Sequence, residues 1–377
     1  MRSSLVPHEL LQKSDKILFI AHLALGDFTY LQNCFRAFAD AYPHIRIHLW
    51  VDELRRTARP ADWEHLKSYS LYDWLAECPA IAKVYNQTYS PALLKQSMRE
   101  AQQQAYPIVI SLGLLRRNFY AGLARKISPQ GFVAGQTKRA RLLDIHKHLA
   151  YRKLDARIPD YGAKADGKEH ISDIYAGWFE LLFGLQIAAA ARFPFVDIPE
   201  RWRDYARDQL MQWQFPIDRA DRQGRKIFFV NAFSKSVERN WPLERVLALI
   251  QAMRRQDRWR DSYFVINVVP EQMGRAQRLF DQNPIEHAHL FSAVDNFFQL
   301  PAILSLCDLI ISVETAVMHL ANAVHVPVVA LMRLTSLEWV PIDQANSTII
   351  HVSRPDAWVD SITVEDVMAV MLGQGSP

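Results

Sequence analysis

The sequence predicts an α/β protein of two domains, each built around a parallel sheet with helices on both faces. Three observations carry that expectation. The chain has 377 residues, more than a single hydrophobic core usually organises. Short, near-continuous apolar runs recur along it with helix-patterned stretches between them, as strands buried on both faces require. The strand pattern lapses once, between Glu200 and Arg225, before a fresh run, KIFFVNAF, begins.

In chain order, the expected strands of the first half are Ile17–Ala21, Ile45–Val51 and Ile108–Leu112. Those of the second half are Ile227–Asn231, Tyr263–Val268, Leu309–Val313, Val326–Leu331 and Thr348–Val352. Intervening stretches such as PLERVLALIQAMRRQ and ETAVMHLANAVH repeat their apolar residues at helical spacing. Alternating βα units imply parallel sheets. The lapse, ERWRDYARDQLMQWQFPIDRADRQGR, ends in polar residues around Pro216 and Gly224. It divides the chain into an N-terminal Rossmann-like domain, 1–215, and a C-terminal one, 216–355. Residues 356–377 follow as a helix and tail, the helix opening at the cap-like Thr363-Val364-Glu365-Asp366.

Half the residues are apolar and 22% are charged, ordinary for a globular enzyme. No apolar run approaches the roughly 20 residues of a membrane-spanning helix, and MRSSLVPHELLQKSDK lacks the apolar core of a signal peptide. Cys34, Cys78 and Cys307 are too scattered to form a metal site. Together these features lead to the expectation of a cytoplasmic protein. Net charge is only +4, but it is uneven: eleven basic residues against Asp144 and Asp155 lie between Arg116 and Arg157. Phe119, Tyr120, Phe132 and Tyr151 interleave with them, which favours a folded surface over a solvated loop. Such a surface attracts an anion: phosphorylated glycolipid, membrane headgroups or nucleic acid.

Three constellations bear on chemistry. The first is KILFIAHLALGDFTYL, residues 16–31, a buried strand running through a tight turn into a helix. A phosphate cradle would place backbone amides there, but HLALGD fits neither the dinucleotide fingerprint nor the Walker A spacing. Asp27 would repel a phosphate. It suits a helix cap, and at a strand end it also suits a base that takes a proton from an attacking hydroxyl.

The second is NAFSKSVERNWP, residues 231–242, where Ser234, Lys235, Ser236 and Arg239 precede a helix with Pro242 near its start. Hydroxyls, cations and a helix N-terminus are what an anion needs; Trp241 reads as a packing residue. The third is DLIISVETAVMHLANAVHVPVVAL, residues 308–331. Glu314, Thr315 and Ala316 open a helix after a buried strand, and His319 follows Thr315 by one turn. Glu and Thr at a strand's carboxyl end can hold sugar hydroxyls or a nucleotide. No D-x-D triplet, H-E-x-x-H or cysteine pair supplies a metal site, so the expectation is a metal-free reaction in which side chains and helix dipoles meet the phosphate charge. No G-x-S-x-G is present to support hydrolase chemistry.

In this order the motifs resemble the heptosyltransferases, glycosyltransferase family 9. The family's strand followed by G-D is matched by Gly26-Asp27. Its K-x-W-P is matched by Arg239-Asn240-Trp241-Pro242, and its D-T-G-x-x-H-L-A-A by the run from Glu314 to Asn322, followed by Pro327 to Leu331. The resemblance implies the GT-B fold, two Rossmann-like domains facing across a cleft. It also implies inverting, metal-independent transfer of a sugar, typically heptose from ADP-heptose, to a lipopolysaccharide core-type or related anionic acceptor. Asp27 would be the general base. Ser234, Lys235, Ser236, Arg239, Glu314, Thr315, Ala316 and His319 would hold the donor. Arg116, Arg117, Lys138, Arg139 and Arg141 would meet the acceptor, with peripheral contact to the cytoplasmic face of the inner membrane and no nucleic-acid partner.

Four departures cluster on the donor side. Glu314 stands for aspartate, Ala316 for glycine, Arg239 for lysine, and RLTSLEWVP for the usual G-P-T. They leave room for a different nucleotide sugar, for an epimerase-like relative that needs no acceptor, and for a non-catalytic binder of sugar nucleotides or glycolipids.

Overall fold

The computed structural model describes residues 4–138, 144–159 and 169–373. The chain divides into two compact units, the first ending at Arg192 and the second beginning at Phe193. Each unit holds one six-stranded, all-parallel sheet. The first comprises β1 (Lys16–Ala21), β2 (Arg46–Val51), β3 (Ile81–Tyr85), β4 (Ile108–Ser111), β5 (Phe132–Gln136) and β6 (Ala156–Ile158). The second comprises β7 (Ile227–Asn231), β8 (Tyr263–Asn267), β9 (Ala288–Phe291), β10 (Leu309–Val313), β11 (Val328–Met332) and β12 (Ser347–His351).

Helices of the first unit are α1 (His8–Lys13), α2 (Leu25–Ala41), α3 (Glu64–Lys67), α4 (Leu71–Ala76), α5 (Pro91–Gln103), α6 (Arg117–Ile127), α7 (Ile145–Tyr151) and α8 (Ile171–Phe183). Those of the second are α9 (Glu200–Gln212), α10 (Leu243–Arg254), α11 (Pro270–Gln282), α12 (Gln299–Ser305), α13 (Ala316–Ala323) and α14 (Val364–Met371).

Strand order is β3-β2-β1-β4-β5-β6 in the first sheet and β12-β11-β10-β7-β8-β9 in the second. Both are doubly wound: three strands are laid down in one direction, then the chain crosses back and lays three in the other. The reversal falls between β1 and β4 in one unit and between β7 and β10 in the other. Loops leaving the carboxyl ends of those strand pairs diverge to opposite faces, which opens a crevice suited to ligands.

The cores follow from the apolar runs. In the first unit, Phe19 on β1 stacks on Phe179 of α8 with centroids 5.7 Å apart and meets Phe35 of α2 edge-on at 5.1 Å. These rings clamp α2 and α8 to one face of the sheet, while Leu18, Ile20, Val109 and Val133 pack with Tyr120 and Leu123 of α6 on the other. In the second unit, Phe228 stacks on Phe264, centroids 5.5 Å apart, beneath α10 and α14.

The structure departs from the sequence reading at four points. Residues 193–215, assigned to the first domain, group with the second unit. The reason is α9, which buries Ala206 and Leu210 and packs against α12. Residues 356–373 group with the second unit as well, since α14 buries Val367 and Met368 in its core against α10. Four strands also carry no clear run: β3, β6 and β9 lie at sheet edges with partly exposed residues, and β5, FVAGQ, closes on Gly135 and Gln136. Finally, β11 begins at Val328 rather than Val326, because the Val326 amide donates to the Ala321 carbonyl (2.9 Å) and so belongs to the turn after α13.

The described residues of the basic stretch fold, as expected, into α6, β5, α7 and β6. Arg125 within it serves structure: it donates to Asp155 (2.6 Å) and to the carbonyls of Lys153, Ser128, Pro129 and Gly131. Trp241 is a packing residue, 1% exposed, with its indole N–H donated to the Ile362 carbonyl at 2.9 Å. Trp241→Ala is expected to destabilise the second unit by about 3–5 kcal/mol, read as a fall in the urea midpoint at unchanged slope.

Candidate active site

Each unit gathers its polar side chains at its own winding reversal. In the first, β1 ends at Ala21 and the turn His22-Leu23-Ala24 leads into α2. Asp27 lies in the first turn of that helix. Its Oδ2 accepts the Ala24 amide at 2.8 Å, so the expected capping role is present. Its Oδ1 accepts the Tyr175 hydroxyl at 2.8 Å, a partner 148 residues away that no local pattern reveals.

Burial raises the Asp27 pKa above its ordinary 3.8, against the smaller opposing pulls of the Ala24 amide, Tyr175 and His22. Burial likewise raises the Tyr175 phenol well above its ordinary value, with the Asp27 charge acting in the same direction, so the tyrosine stays a donor. His22 titrates below its ordinary 6.5, chiefly through burial and against the attraction of Asp27 and Asp52; near neutral pH it is an uncharged imidazole, stacked over the Tyr120 ring at 6.3 Å.

A second carboxylate, Asp52, follows β2. Arg56 pairs with one of its oxygens and the Tyr120 hydroxyl donates to the other at 3.1 Å. Asp52 is buried and its charge is met by a cation, whereas Asp27 is half-buried and held only by neutral donors. Burial raises the Asp52 pKa too, against the pull of Arg56, so the two carboxylates differ in their direct partners: a cation for Asp52, an amide and a phenol for Asp27. Gly113, just past β4, is needed because a Cβ there would lie 2.6 Å from the Tyr120 ring.

Of the expected acceptor contacts, Arg116 and Arg117 follow β4 and Lys138 follows β5, so all three stand at the carboxyl edge of the sheet that carries Asp27. Arg116 is exposed, in the left-handed backbone region (φ 51°), and donates to the Leu54 carbonyl at 3.3 Å. Arg117 is half-buried and donates to the Thr137 carbonyl at 3.2 Å; Lys138 is exposed. Arg139 and Arg141 lie outside the described residues.

In the second unit a polar network spans the strand ends. Asn231, the last residue of β7, donates to Ser312 (3.0 Å) and Thr315 (3.1 Å), and accepts from Asn267 at the end of β8 (2.8 Å). Thr315 caps α13 by accepting the Val317 amide at 3.2 Å. Its oxygen thus accepts twice while its hydroxyl proton has no acceptor among the described residues. Ala316, partly exposed, supplies the first amide of the helix. His319, one turn on, is buried with its ring 5.8 Å from Trp339.

Glu314, 2% exposed, sits between two arginines. Arg239 Nε lies 3.4 Å from its Oε1, and Arg333 Nε lies 3.9 Å from its Oε2, which also accepts the Arg333 amide at 3.2 Å. Neither Nε nor Oε1 makes a hydrogen bond, although all three are buried. The cluster is charge-compensated but short of hydrogen bonds, a state that a bound anion with several oxygens would complete.

The neighbouring loop is shaped by its own polar groups. The Ser234 amide donates to Asn240 Oδ1 (2.6 Å), the Ser236 amide to Ser234 Oγ (3.3 Å), and the Ser236 hydroxyl to Glu238. Lys235 is exposed beside them. The structure therefore brings Arg239 and Glu314 together, commits the Ser236 hydroxyl to Glu238, and adds Arg333 and Asn231, which the sequence reading missed. The signal for Arg333 was a cation directly after a buried strand, where the resembled family has G-P-T. Among the described residues no group of three His, Cys, Asp or Glu side chains could hold a metal ion.

Residues 183–359 match the model of glycosyltransferase family 9 (heptosyltransferase). That match covers the second unit's sheet and its whole polar network, and leaves Asp27 outside. Among solved structures, the chain is similar to a glycosyl transferase family 9 protein from Veillonella parvula at 17% identity and TM-score 0.73, with 99% of this chain and 98% of that one covered. It is also similar to the E. coli ADP-heptose lps heptosyltransferase II at 14% identity and TM-score 0.64, covering 95% and 98%. E. coli heptosyltransferase WaaC with ADP gives 15% identity and TM-score 0.64, covering 96% and 100%. At these identities the likeness is one of fold, and the fold is GT-B. No curated protein matches the chain in sequence.

An NMR titration of the Asp27 carboxyl should give a pKa above 3.8, and Tyr175→Phe should raise it further, because the lost hydroxyl favoured the anion. Between 3.8 and the raised value the folded state binds this proton more tightly than the unfolded one. Stability from this group therefore falls as pH rises through that window, and Asp27→Asn removes the dependence.

Proposed function

We propose that this protein is an inverting, metal-independent glycosyltransferase that moves a sugar from a nucleoside-diphosphate donor to a hydroxyl of an anionic glycolipid or glycan. The observation that carries the reading is the cluster of Arg239 and Arg333 around buried Glu314, beside the Thr315-capped start of α13, at the winding reversal within the family 9 match. Two guanidinium groups, a free hydroxyl proton and a helix N-terminus are suited to a diphosphate.

In this reading Asp27 accepts the proton of the acceptor hydroxyl as its oxygen attacks the anomeric carbon. The bond from that carbon to the phosphate oxygen breaks, and its electron pair leaves with the nucleoside diphosphate. Arg239, Arg333 and Lys235 take up the negative charge that develops there. Glu314, released in part from its arginines by the incoming phosphates, turns an oxygen toward the sugar hydroxyls, with Thr315, Ala316 and His319 around it. Ser234 and Ser236 shape the loop that presents Arg239. Arg116, Arg117 and Lys138 attract the anionic acceptor, and Arg139 and Arg141 extend that basic run in the sequence.

ADP-heptose is the first donor to test, since heptosyltransferase structures with ADP and with ADP-2-deoxy-2-fluoro heptose share the fold. Glu314, Ala316 and Arg333 make another nucleotide sugar the alternative. A thermal-shift panel of nucleotide sugars separates them, because a ligand of the native state raises the melting temperature. A heptose-specific response supports the first. A response to a different sugar redirects the donor, and no response to any nucleotide sugar or to ADP overturns the reading.

Three further outcomes are expected. Asp27→Asn should lower turnover by about 10²–10⁴ with donor affinity unchanged. Arg333→Ala should weaken ADP binding by about ten- to a hundred-fold, as loss of a charge-assisted contact implies, by calorimetry. Turnover should survive excess chelator; loss that added metal restores would contradict the metal-independent step.

A further inference from the structure

We propose that His22 orients the acceptor, donating its Nε2–H to an acceptor oxygen next to the hydroxyl that Asp27 deprotonates. This role rests on the transfer reading and adds to it a residue that the mechanism above leaves without a task.

His22 is the first residue past β1. Leu18 and Ile20 pack on the α6 side of the sheet, and two-residue alternation carries His22 to that side as well. Its ring lies beside Tyr120 of α6, the two planes within 12° of parallel. Asp27 belongs instead to α2, which the Phe19–Phe35 contact holds on the opposite face. Histidine and carboxylate thus flank the crevice above the β1–β4 reversal, one from each wall.

The imidazole has a closed side and an open one. Nδ1 is buried without a hydrogen-bond partner and faces Gly113, where a Cβ would stand 3.6 Å from it. Nε2 is not shut in, and it makes no hydrogen bond among the described residues. An uncharged imidazole carries one N–H and one lone pair. Buried donors without a partner are rarer than buried acceptors without one, so the proton is assigned to Nε2. The open side then offers a donor and no lone pair, which suits substrate binding and leaves proton acceptance to Asp27.

The charged and titratable groups around the ring agree with a neutral donor. Burial holds its pKa below 6.5, with Arg116 acting the same way and Asp27 and Asp52 against. Both carboxylates hold other partners: Ala24 and Tyr175 for Asp27, Arg56 and Tyr120 for Asp52. A donor without an acceptor of its own, on the wall facing the base, can fix the direction from which a sugar hydroxyl approaches.

Two measurements test this role. Nitrogen NMR of the histidine side chains, with His22 identified by its absence from the His22→Gln spectrum, should find an uncharged ring protonated at Nε2 at neutral pH. A proton on Nδ1, or a charged ring, overturns the proposal, and no substrate is needed to see it. Transfer is read as ADP release from ADP-heptose with rough-type lipopolysaccharide as acceptor. His22→Phe keeps the contact with Tyr120 and loses the donor; it should raise the acceptor KM about ten-fold, with ADP affinity and melting temperature as in wild type. His22→Gln, whose amide nitrogen reaches toward the place of Nε2, should recover most of that loss. An unchanged acceptor KM in His22→Phe overturns the proposal, as does a glutamine variant as impaired as the phenylalanine one. Transfer that His22→Phe leaves intact sinks this role alone, whereas no transfer by wild type from any nucleotide sugar sinks the transfer reading and this role with it.

Discussion

Winding reverses once in each sheet, and the chemistry of each unit collects at that reversal. A parallel strand must be followed by a crossover, and the crossovers from β1 and β4, like those from β7 and β10, leave toward opposite faces. Asp27 and Tyr175 occupy one reversal; Asn231, Ser312, Thr315 and Glu314 occupy the other.

The two reversals differ in sign and in solvation. Around Asp27 the direct partners are an amide and a phenol, with an uncharged imidazole nearby, so the carboxylate keeps a raised pKa and its appetite for a proton. Around Glu314 the partners are two guanidinium groups, so the buried carboxylate stays compensated and the cluster as a whole is cationic. A base and a leaving-group site need those opposite environments. The same physics explains why Asp52, buried as it is, is set apart from this role: Arg56 already meets its charge.

Much of this was legible in the sequence, and the limits have physical causes. Interior strands such as β7 and β10 announce themselves because both faces are buried, and their bounds match the apolar runs. Edge strands β3, β6 and β9 are only partly buried and lose that signal. Asp27, Arg239 and Glu314 could be picked out because they follow strands and precede helices. Tyr175 could not, since its contact with Asp27 joins two helices far apart in sequence. The pairing of Arg239 with Glu314 was likewise invisible: sequence placed both on the donor side, but only the β7–β10 adjacency sets them 3.4 Å apart. The boundary moved to Arg192 because α9 joins the unit it packs on, a tertiary fact that no local composition records.

Division of labour between the units is the central claim: nucleoside diphosphate on the second, proton acceptance on the first. Hydrogen exchange with and without saturating ADP tests it most directly. Protection should appear in 232–241, at the start of α13 around 314–319 and at Arg333, with residues 22–27 exchanging as in the free protein. Protection centred on 22–27, with the second unit unchanged, would contradict the account.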